Sequence, residues 1–359
     1  MTSQPNHVLL IGVAGDSGCG KSTFLRRLVD LLNPELLTVL GEIPMTVICL
    51  DDYHCLDRKQ RKVQGVTALN PKANNFDLMY EQIKALKGGQ TIMKPIYNHE
   101  TGKLDPPESI TPSQIVVIEG LHPMYDKRVR SLLDFNVYLD IDDEVKIAWK
   151  VQRDMAERGY TYEDVLASID ARRPDFNAYI DSQKQYADVI IQILPTKLIP
   201  DDSERKILRV RLIQKDDLEG FEPIYLFDEG STIDWIPCGR KLTCSYPGIR
   251  MHYGPDQYYG HSVSVLEIDG QFERLEEIIY IESHLSRTAT RYHGEMTELL
   301  LKHREYPGSK NGSGLFQVLV GLKIRALYKQ SVNLALGWTG RSKAPVTRAP
   351  FRQSIESCY

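Results

Sequence analysis

The chain lacks the features that mark membrane, secreted and nucleic-acid-binding proteins. Its 359 residues contain no apolar run of about 18 residues, so no transmembrane helix is predicted. The formal net charge of −4 gives no reason to expect nucleic acid as a partner, because such binders are usually basic. Six cysteines are too few for a disulfide scaffold and indicate a reducing compartment. The first strand-like run begins at Val8, which leaves no room for a secretory signal, so none is expected.

What the chain does contain is an alternation of short apolar runs and helical stretches over residues 1–200. Four runs are apolar on both faces and are predicted to be buried parallel strands: Val8–Val13, Met45–Leu50, Ile115–Ile118 and Phe135–Leu139. Helical spacing is found in three stretches: Ser22–Leu32, Leu78–Leu86 and Glu144–Arg158. The alternation predicts an α/β fold with a mixed, mostly parallel sheet flanked by helices. In such folds ligands bind beyond the carboxyl ends of the strands.

The character of the sequence changes near Pro200–Glu204. Short β-type runs with turn residues between them are predicted to be strands: Ile207–Ile213, Ile224–Phe227, Thr232–Ile236, Lys241–Ser245 and Val263–Ile268. Three helical stretches follow: Leu275–Leu285, Glu295–His303 and Leu315–Leu327. The prediction is therefore a first domain at 1–200 and a β-rich, then helical, C-terminal extension at 201–333 that completes it. Residues 334–359 are predicted to be a disordered basic tail, and binding of a partner by that tail stays open.

A phosphate-binding loop is the strongest signal. Gly15–Ser22 fits the pattern G-x4-G-K-[ST] at every position and lies between a predicted strand and a predicted helix, which disfavours a chance match. The glycines let backbone N–H groups turn towards phosphates, and the helix adds its positive end. Lys21 supplies a point charge for the β- and γ-phosphates, and the Ser22 hydroxyl suits Mg²⁺. The predicted nucleotide-binding residues are Gly15, Asp16, Ser17, Gly18, Cys19, Gly20, Lys21, Ser22 and Thr23.

The loop alone does not separate GTPases, motor ATPases and small-molecule kinases, so the other charged residues must decide. Asp51 and Asp52 follow the second apolar strand, where a carboxylate can orient an acceptor hydroxyl and take its proton. His54 and Arg58 come shortly after it and can hold an anionic substrate. Glu119 ends another buried strand, a usual place for a metal-organising carboxylate in P-loop proteins. A capped turn with solvated charges, or a lone acid at a strand end, would give the same patterns.

A third group of charges lies on the predicted helix at Glu144–Arg158. Lys150, Arg153, Asp154 and Arg158 are spaced at i, i+3, i+4 and i+8 and therefore share one face. A solvated, salt-bridged face explains this spacing equally well. Beside a phosphate site, the same cations would neutralise charge on a transferred phosphoryl group.

Taken together, these segments resemble the phosphoribulokinase family in its photosynthetic, redox-regulated form of the cyanobacterial and plant type. The resemblance runs in order along about residues 8–330 and includes the phosphate loop with Cys19. The other matching segments are CLDDYHCLDR at Cys49–Arg58, KPIYNHETG at Lys94–Gly102, VIEGLHPMYD at Val117–Asp126, WKVQRDMAERG at Trp149–Gly159, YLFDEGSTIDWIPCGRKLTCSYPG at Tyr225–Gly248 and PGSKNGSGLFQ at Pro307–Gln317.

The resemblance implies a P-loop kinase that uses ATP and Mg²⁺ to phosphorylate the C1 hydroxyl of D-ribulose 5-phosphate. The products would be ADP and D-ribulose 1,5-bisphosphate, the acceptor for carbon fixation in the Calvin cycle. By position, Asp51 is similar to the family's catalytic base, and Ser22 and Glu119 are similar to the residues near Mg²⁺. The resemblance also implies catalytic roles for Lys21, Lys150, Arg153 and Asp154. The residues that it implies as contacts of the sugar phosphate are His54, Arg58, Tyr97, His99, Arg153 and Arg158.

The cysteines gain an interpretation only through the resemblance, which implies regulatory disulfides between Cys19 and Cys49 and between Cys238 and Cys244. A Cys19–Cys49 bond would have to pull the phosphate loop towards the acceptor strand, because bridged Cα atoms lie within about 7 Å. The bond would then switch the enzyme off. A thiol close to phosphate-binding N–H groups and Lys21 should also have a lowered pKa. Without the resemblance, four unpaired small residues would be the simpler interpretation.

The resemblance further implies a homodimer, reduction by thioredoxin, and assembly with a small disordered linker protein and glyceraldehyde-3-phosphate dehydrogenase. It implies a cyanobacterial-type cytoplasm, or the chloroplast stroma if the chain is a processed plastid protein. Cys55 lies six residues beyond Cys49 and could compete for Cys19, while the tail with Cys358 matches nothing in the family. Three rivals stay open: a nucleoside kinase of the uridine-kinase type, a P-loop regulatory protein that switches a partner, and a redox-sensing scaffold.

Overall fold

The computed structural model describes residues 8–40, 45–98, 100–199, 202, 205–218, 220–226, 232–235 and 248–335. Within these ranges the strands are β1 (Leu9–Gly15), β2 (Met45–Cys49), β3 (Ile92–Asn98), β4 (Lys103–Ile110), β5 (Ile115–Gly120), β6 (Phe135–Ile141), β7 (Val189–Pro195), β8 (Leu208–Lys215), β9 (Tyr225–Leu226), β10 (Thr232–Trp235), β11 (Ile249–Tyr258), β12 (His261–Gly270) and β13 (Leu285–Ser286). The α-helices are α1 (Lys21–Leu40), α2 (Arg58–Gln64), α3 (Phe76–Lys87), α4 (Lys127–Arg130), α5 (Asp143–Arg158), α6 (Tyr162–Asp175), α7 (Ile278–Glu282), α8 (Glu295–Lys302) and α9 (Gly312–Ala335). None of these helices is both long and apolar enough to cross a bilayer.

Nine of the described strands form one sheet, in the order β10-β11-β12-β8-β7-β6-β1-β5-β2. The strands β2, β5, β1, β6 and β7 pair in parallel, and β8, β12, β11 and β10 continue the sheet with antiparallel pairing. The predicted α/β fold with a mixed sheet and a β-rich extension is therefore confirmed. Because β7 pairs directly with β8, the sheet runs without a break across the proposed boundary at residue 200.

Some elements differ from the prediction. The helix predicted at Leu275–Leu285 is a 3-10 turn at Leu275–Glu277 followed by the short helix α7, and its last residue belongs to β13. The hairpin of β3 and β4 was not predicted, because β4 is exposed along nearly all of its length and has no apolar period. The predicted strand at Lys241–Ser245 lies outside the described residues. Of the predicted tail at 334–359, only the end of α9 is described.

Both faces of the parallel half of the sheet are covered, which explains why its strands are apolar on both sides. In β1, Leu9 and Ile11 pack into the cluster that contains Phe24 of α1 and Phe316 of α9. The residue between them, Leu10, points to the opposite face and packs into the cluster with α3. The turn from β1 into α1 is thus held between two packed layers, which makes it a rigid support for a ligand.

Arg27 ties α1 to the C-terminal part of the chain. Its side chain is 1% exposed. Nε donates to Oε1 of Gln317 at 2.9 Å, and Nη2 donates to the carbonyl oxygen of Pro307 at 3.0 Å and to Oγ of Ser309 at 2.8 Å. The guanidinium also lies over the ring of Tyr306, 5.4 Å from its centre. The segment around 307–317 therefore supports the helix that carries the phosphate loop.

We expect Arg27→Met to lower the free energy of unfolding by about 3 kcal/mol, because buried acceptors lose a charged donor and stay unsatisfied. The measurement is the urea midpoint of unfolding of the full chain. Arg26→Met is the matched control, because Arg26 is the exposed neighbour on the same helix and its loss should change stability by less than about 0.5 kcal/mol. Equal midpoints for the two variants would show that the contacts of Arg27 do not stabilise the fold.

Candidate active site

A cavity of about 520 Å³ opens beyond the carboxyl ends of β1, β2 and β5, which lie side by side in the sheet. It is the position where ligands bind in open α/β sheets. The cavity is lined by Ser17, Gly18, Gly20, Lys21, Ser22, Thr23, Cys49, Asp51, His54, Arg58, Arg61, Ala68, Tyr97, Glu119, Gly120, Leu121 and Arg172. The fold thus brings most of the predicted site residues into one space, with the phosphate loop on one wall and the residues after β2 on another.

The phosphate loop has the backbone that its glycines permit. Gly18 and Gly20 have φ angles of 85° and 94°, a left-handed region that side chains with a Cβ atom rarely enter. Lys21 begins α1, and its Nζ donates to the carbonyl oxygens of Gly15 at 3.0 Å and Asp16 at 2.8 Å. Its ammonium group therefore lies at the rim of the loop, where a nucleotide phosphate would meet it.

The charge of Lys21 is reinforced by acids around it. Burial by itself would lower the pKa of Lys21, but Cys19, Glu119 and Asp51 raise it above its usual value. The carboxyl groups of Glu119 and Asp51 therefore lie close enough to Lys21 to interact with it. A phosphoryl donor bound at Lys21 would be near the candidate base and the candidate metal ligand.

The two adjacent carboxylates after β2 have different surroundings. They lie on a short 3-10 turn at Leu50–Tyr53, where Asp51 lines the cavity. Asp52 is 9% exposed, accepts a hydrogen bond from the backbone N–H of Tyr97 at 2.7 Å and pairs with the ammonium group of Lys94. Asp52 therefore holds β3 against the turn, and Asp51 is the carboxylate that can meet a substrate.

Glu119 lies where a metal ligand is expected. In the sheet it is the partner of Val13 on β1 and of Cys49 on β2. Burial raises the pKa of Glu119, while Lys21 and a hydrogen bond from the Cys49 thiol oppose the rise. Among the described residues no group of three or more His, Cys, Asp or Glu side chains could hold a metal ion. Glu119 and Ser22 nevertheless fit Mg²⁺, which is usually bound by one or two carboxylates plus phosphates and water.

Among the described side chains, four cations line the cavity, and two of them were missed by the sequence analysis. Lys21 and Arg58 were predicted, whereas Arg61 and Arg172 were not. Arg61 lies three residues after Arg58 on α2, so helical spacing could have indicated it. Its Nη2 donates to the hydroxyl of Tyr97 at 2.8 Å, and its guanidinium lies 5.4 Å from that ring. Arg172 lies on α6, a helix that was not predicted, so no pattern in the sequence indicated that this arginine reaches the cavity.

The predicted helix face on α5 is described only in part. Lys150 does not line the main cavity but lines a narrow hollow beside the loop, together with Asp16, Lys146 and Arg172. Lys146 pairs with Asp16 at 3.4 Å, so α5 is held against the phosphate loop. The side chains of the other predicted members, Arg153, Asp154 and Arg158, lie outside the described part of the structure, and so does His99. Their predicted roles stay predictions.

Three free thiols occur among the described residues: Cys19, Cys49 and Cys55. Cys19 lies within the loop and is 2% exposed, and its side chain packs so close to Gly15 that a Cβ atom there would lie 2.6 Å from its sulfur. The expected lowered pKa of Cys19 is wrong, because burial raises the pKa by more than Lys21 lowers it. Burial, with Glu119 and Asp51, also raises the pKa of Cys49. The second predicted pair, Cys238 and Cys244, lies outside the described residues.

Comparison with known proteins assigns this chain to a family. Residues 10–200 match the model of the Phosphoribulokinase / Uridine kinase family. The chain is 71% identical over 330 residues to phosphoribulokinase of Synechocystis sp., with 92% of this chain and 97% of the relative covered. It is 64% identical over 334 residues to chloroplastic phosphoribulokinase of Triticum aestivum, with 90% and 82% covered. Uridine kinase of Ligilactobacillus salivarius is 30% identical over 196 residues, with 53% of this chain and 88% of the relative covered. The chain is therefore a kinase that belongs to the Phosphoribulokinase / Uridine kinase family, and its similarity to the phosphoribulokinases extends over most of its length.

Proposed function

We propose that the protein transfers the γ-phosphoryl group of ATP to the C1 hydroxyl of D-ribulose 5-phosphate, giving D-ribulose 1,5-bisphosphate and ADP. The observation that carries the proposal is the charge of the cavity, where Arg58, Arg61 and Arg172 accompany the phosphate loop and Asp51. A sugar phosphate brings a second dianion that needs fixed cations, and arginine suits it through its bidentate fork. A nucleoside acceptor would have no use for three arginines, which disfavours the uridine-kinase-type rival.

In the proposed reaction Asp51 takes the proton of the C1 hydroxyl as its oxygen forms a bond to the γ-phosphorus. The bond from the γ-phosphorus to the bridging β–γ oxygen breaks, and ADP leaves with that electron pair. Lys21 and the backbone N–H groups of the loop hold the phosphates throughout. Ser22 and Glu119 would hold Mg²⁺, which when bound neutralises charge on the β- and γ-phosphates.

The remaining predicted residues complete this proposal. His54, Arg58, Tyr97 and His99 would contact the sugar phosphate, with Arg153 and Arg158 joining them from α5. Lys150, Arg153 and Asp154 would act on the transferred phosphoryl group. Support comes from the position of Lys150 beside Asp16 of the loop, and from His54, Arg58 and Tyr97 on one wall of the cavity.

We also propose that the enzyme is switched off by a disulfide between Cys19 and Cys49, with Cys238 and Cys244 as a second pair. Because the side chain of Cys19 is buried, we infer that forming the bond would require the phosphate loop to move. Two thiols would lose two protons and two electrons to an oxidised dithiol carrier such as thioredoxin. Since burial raises the pKa of both thiols, oxidation should become faster as the pH rises and thiolate forms.

We expect Cys19→Ser to keep its activity and to resist inactivation by an oxidised dithiol carrier. The measurement is the activity that remains after timed oxidation, with recovery after treatment with a reduced dithiol. Cys55→Ser is the matched control, because Cys55 is exposed and lies near Cys49 in the sequence. It should lose activity as the unaltered protein does. Full sensitivity of Cys19→Ser would assign the switch to another pair of cysteines.

The assemblies and compartment stay proposals of the same kind: a homodimer, association with a small disordered linker protein and glyceraldehyde-3-phosphate dehydrogenase, and a cyanobacterial-type cytoplasm or a chloroplast stroma. Similarity to cyanobacterial and chloroplastic phosphoribulokinases supports the compartment, whereas the homodimer and the linker assembly rest on the family resemblance of the sequence. Light scattering of the purified protein would test the dimer directly.

The decisive experiment is ADP release from Mg-ATP with and without D-ribulose 5-phosphate, run on reduced and on oxidised protein. Turnover that needs the sugar phosphate, disappears on oxidation and returns with a dithiol would support both proposals. Stimulation by uridine instead would favour a nucleoside kinase. Slow hydrolysis that neither compound stimulates would favour a regulatory protein or a redox scaffold.

A further inference from the structure

The wall of the cavity at His54 is fixed by a residue that has no role in the predicted site. Asn74 lies opposite His54 in an isolated antiparallel bridge. Hydrogen bonds on both sides hold the bridge, from the backbone N–H of Cys55 to the oxygen of Ala73 and from that of Asn75 to the oxygen of Tyr53, each at 2.8 Å. The two side chains are therefore held in register by the backbone before any contact between them is considered.

The side chains of His54 and Asn74 form a hydrogen bond whose donor and acceptor can be assigned. Nδ1 of His54 lies 2.8 Å from Oδ1 of Asn74, and both residues are buried, at 5% and 8% exposure. The other amide atom, Nδ2 of Asn74, donates to the carbonyl oxygen of Asn70 at 3.2 Å, which fixes the orientation of the amide. Because Oδ1 can only accept, Nδ1 of His54 must carry the hydrogen. The ring nitrogen that can contact a substrate is then Nε2.

A second contact fixes the plane of the imidazole. The rings of His54 and Tyr97 pack nearly perpendicular to each other, with centres 4.9 Å apart and planes at 86°. Tyr97 is itself held by Arg61 through its hydroxyl and by Asp52 through its backbone N–H. The orientation of His54 is thus set by two contacts, a hydrogen bond from Nδ1 to Asn74 and the ring contact with Tyr97.

We propose that Asn74 is a positioning residue for the sugar phosphate: it holds His54 in the Nδ1–H tautomer so that Nε2 is presented to the substrate. The inference rests on the proposed function. It deepens that function by assigning the polarity of one contact. Nε2 accepts from a sugar hydroxyl when the ring is neutral and donates to a phosphate oxygen when it is protonated, and the neutral amide accepts from Nδ1–H in both states. Asn74 does not line the cavity, so its effect on the substrate passes through His54.

The test compares two variants of Asn74 with a variant of its neighbour. Asn74→Leu removes the acceptor at similar volume, and Asn74→Asp keeps an acceptor for Nδ1–H. Asn75→Ala is the matched control, because the Asn75 side chain caps α3 by accepting from the N–H of Leu78 and should affect only stability. We expect Asn74→Leu to raise the KM for D-ribulose 5-phosphate about tenfold, the effect of losing one hydrogen bond of about 1.4 kcal/mol, with the KM for ATP unchanged. Asn74→Asp should recover most of that loss, and Asn75→Ala should leave both KM values as they are.

A readout that needs no substrate is the ¹⁵N NMR spectrum of labelled histidine in the intact protein, with the His54 signals assigned by their loss in His54→Gln. We expect the Nδ1–H pattern in the unaltered protein and in Asn74→Asp, and a shift towards the Nε2–H form in Asn74→Leu. An unchanged tautomer in Asn74→Leu, or equal KM values in Asn74→Leu and Asn75→Ala, would overturn the inference. If the unaltered protein shows no turnover with the sugar phosphate, the proposed function fails, while the spectrum still decides the role of Asn74.

Discussion

Asp51→Asn is expected to lower kcat by about 10²–10⁴-fold, the usual contribution of a positioned base. The amide keeps the size of the carboxylate but cannot take the proton of the acceptor hydroxyl. ATP should still bind, because the loop and Lys21, which line the cavity apart from Asp51, would hold its phosphates. The measurement pairs steady-state kinetics in both substrates with the affinity for ADP or ATP by titration calorimetry. Turnover within a few-fold of that of the unaltered protein would remove Asp51 from the role of base.

Asp52 provides the matched comparison, because it is the adjacent carboxylate with a different environment. Asp52→Asn breaks the buried pair with Lys94 and weakens the bond to the N–H of Tyr97. Removing one member of a buried pair usually costs about 3–5 kcal/mol of stability. We therefore expect Asp52→Asn to lower the unfolding midpoint and to raise the KM for the sugar phosphate through Tyr97, with a much smaller effect on kcat. Equal losses of kcat in both variants would mean that the turn acts as a unit.

Part of the fold could be predicted from the sequence and part could not. Strands such as β1 and β5 can be recognised in the sequence as continuous apolar runs, because helices cover both sides of the sheet. The hairpin of β3 and β4 has no such signal, since β4 is exposed along nearly its whole length. Helix α6 was missed because it is mostly polar and buries only Val165 and Ile169.

For the candidate site too, residues next to recognisable strands could be predicted and residues that depend on tertiary contacts could not. That Asp51 and Glu119 would lie near the phosphate loop could be expected, because each lies at or just after the end of a strand that is easy to recognise, and strand ends meet at one edge of a parallel sheet. The choice of Asp51 over the adjacent Asp52 came from the family resemblance. Arg172 reaches the cavity from α6, and Asn74 acts across a bridge with His54, so both depend on tertiary contacts that local sequence does not encode. The pKa of Cys19 was misjudged for a related reason. The motif indicates the cations near the thiol but not its burial, which is the larger effect.

Lys21→Met is expected to lower kcat by about 10²–10³-fold, the cost of losing one preorganised charge at a site where negative charge develops. The KM for ATP should rise as well, because Nζ lies at the rim of the loop with the oxygens of Gly15 and Asp16. Lys62→Met is the control for the general loss of one positive charge, since Lys62 is exposed on α2 and does not line the cavity. It should behave as the unaltered protein does.

The loss of Lys21 should also change the pH profile, and the sign follows from Glu119. Burial raises the pKa of this carboxyl group, and the charge of Lys21 opposes that rise. Without Lys21 the pKa of Glu119 should rise further, so the carboxylate that would hold Mg²⁺ stays protonated up to a higher pH. The acid limb of kcat/KM for Mg-ATP should therefore move to higher pH in Lys21→Met and stay in place in Lys62→Met. A lowered kcat with an unmoved acid limb would mean that Lys21 acts on the phosphates alone. A moved limb would show that it also keeps Glu119 ionised for the metal.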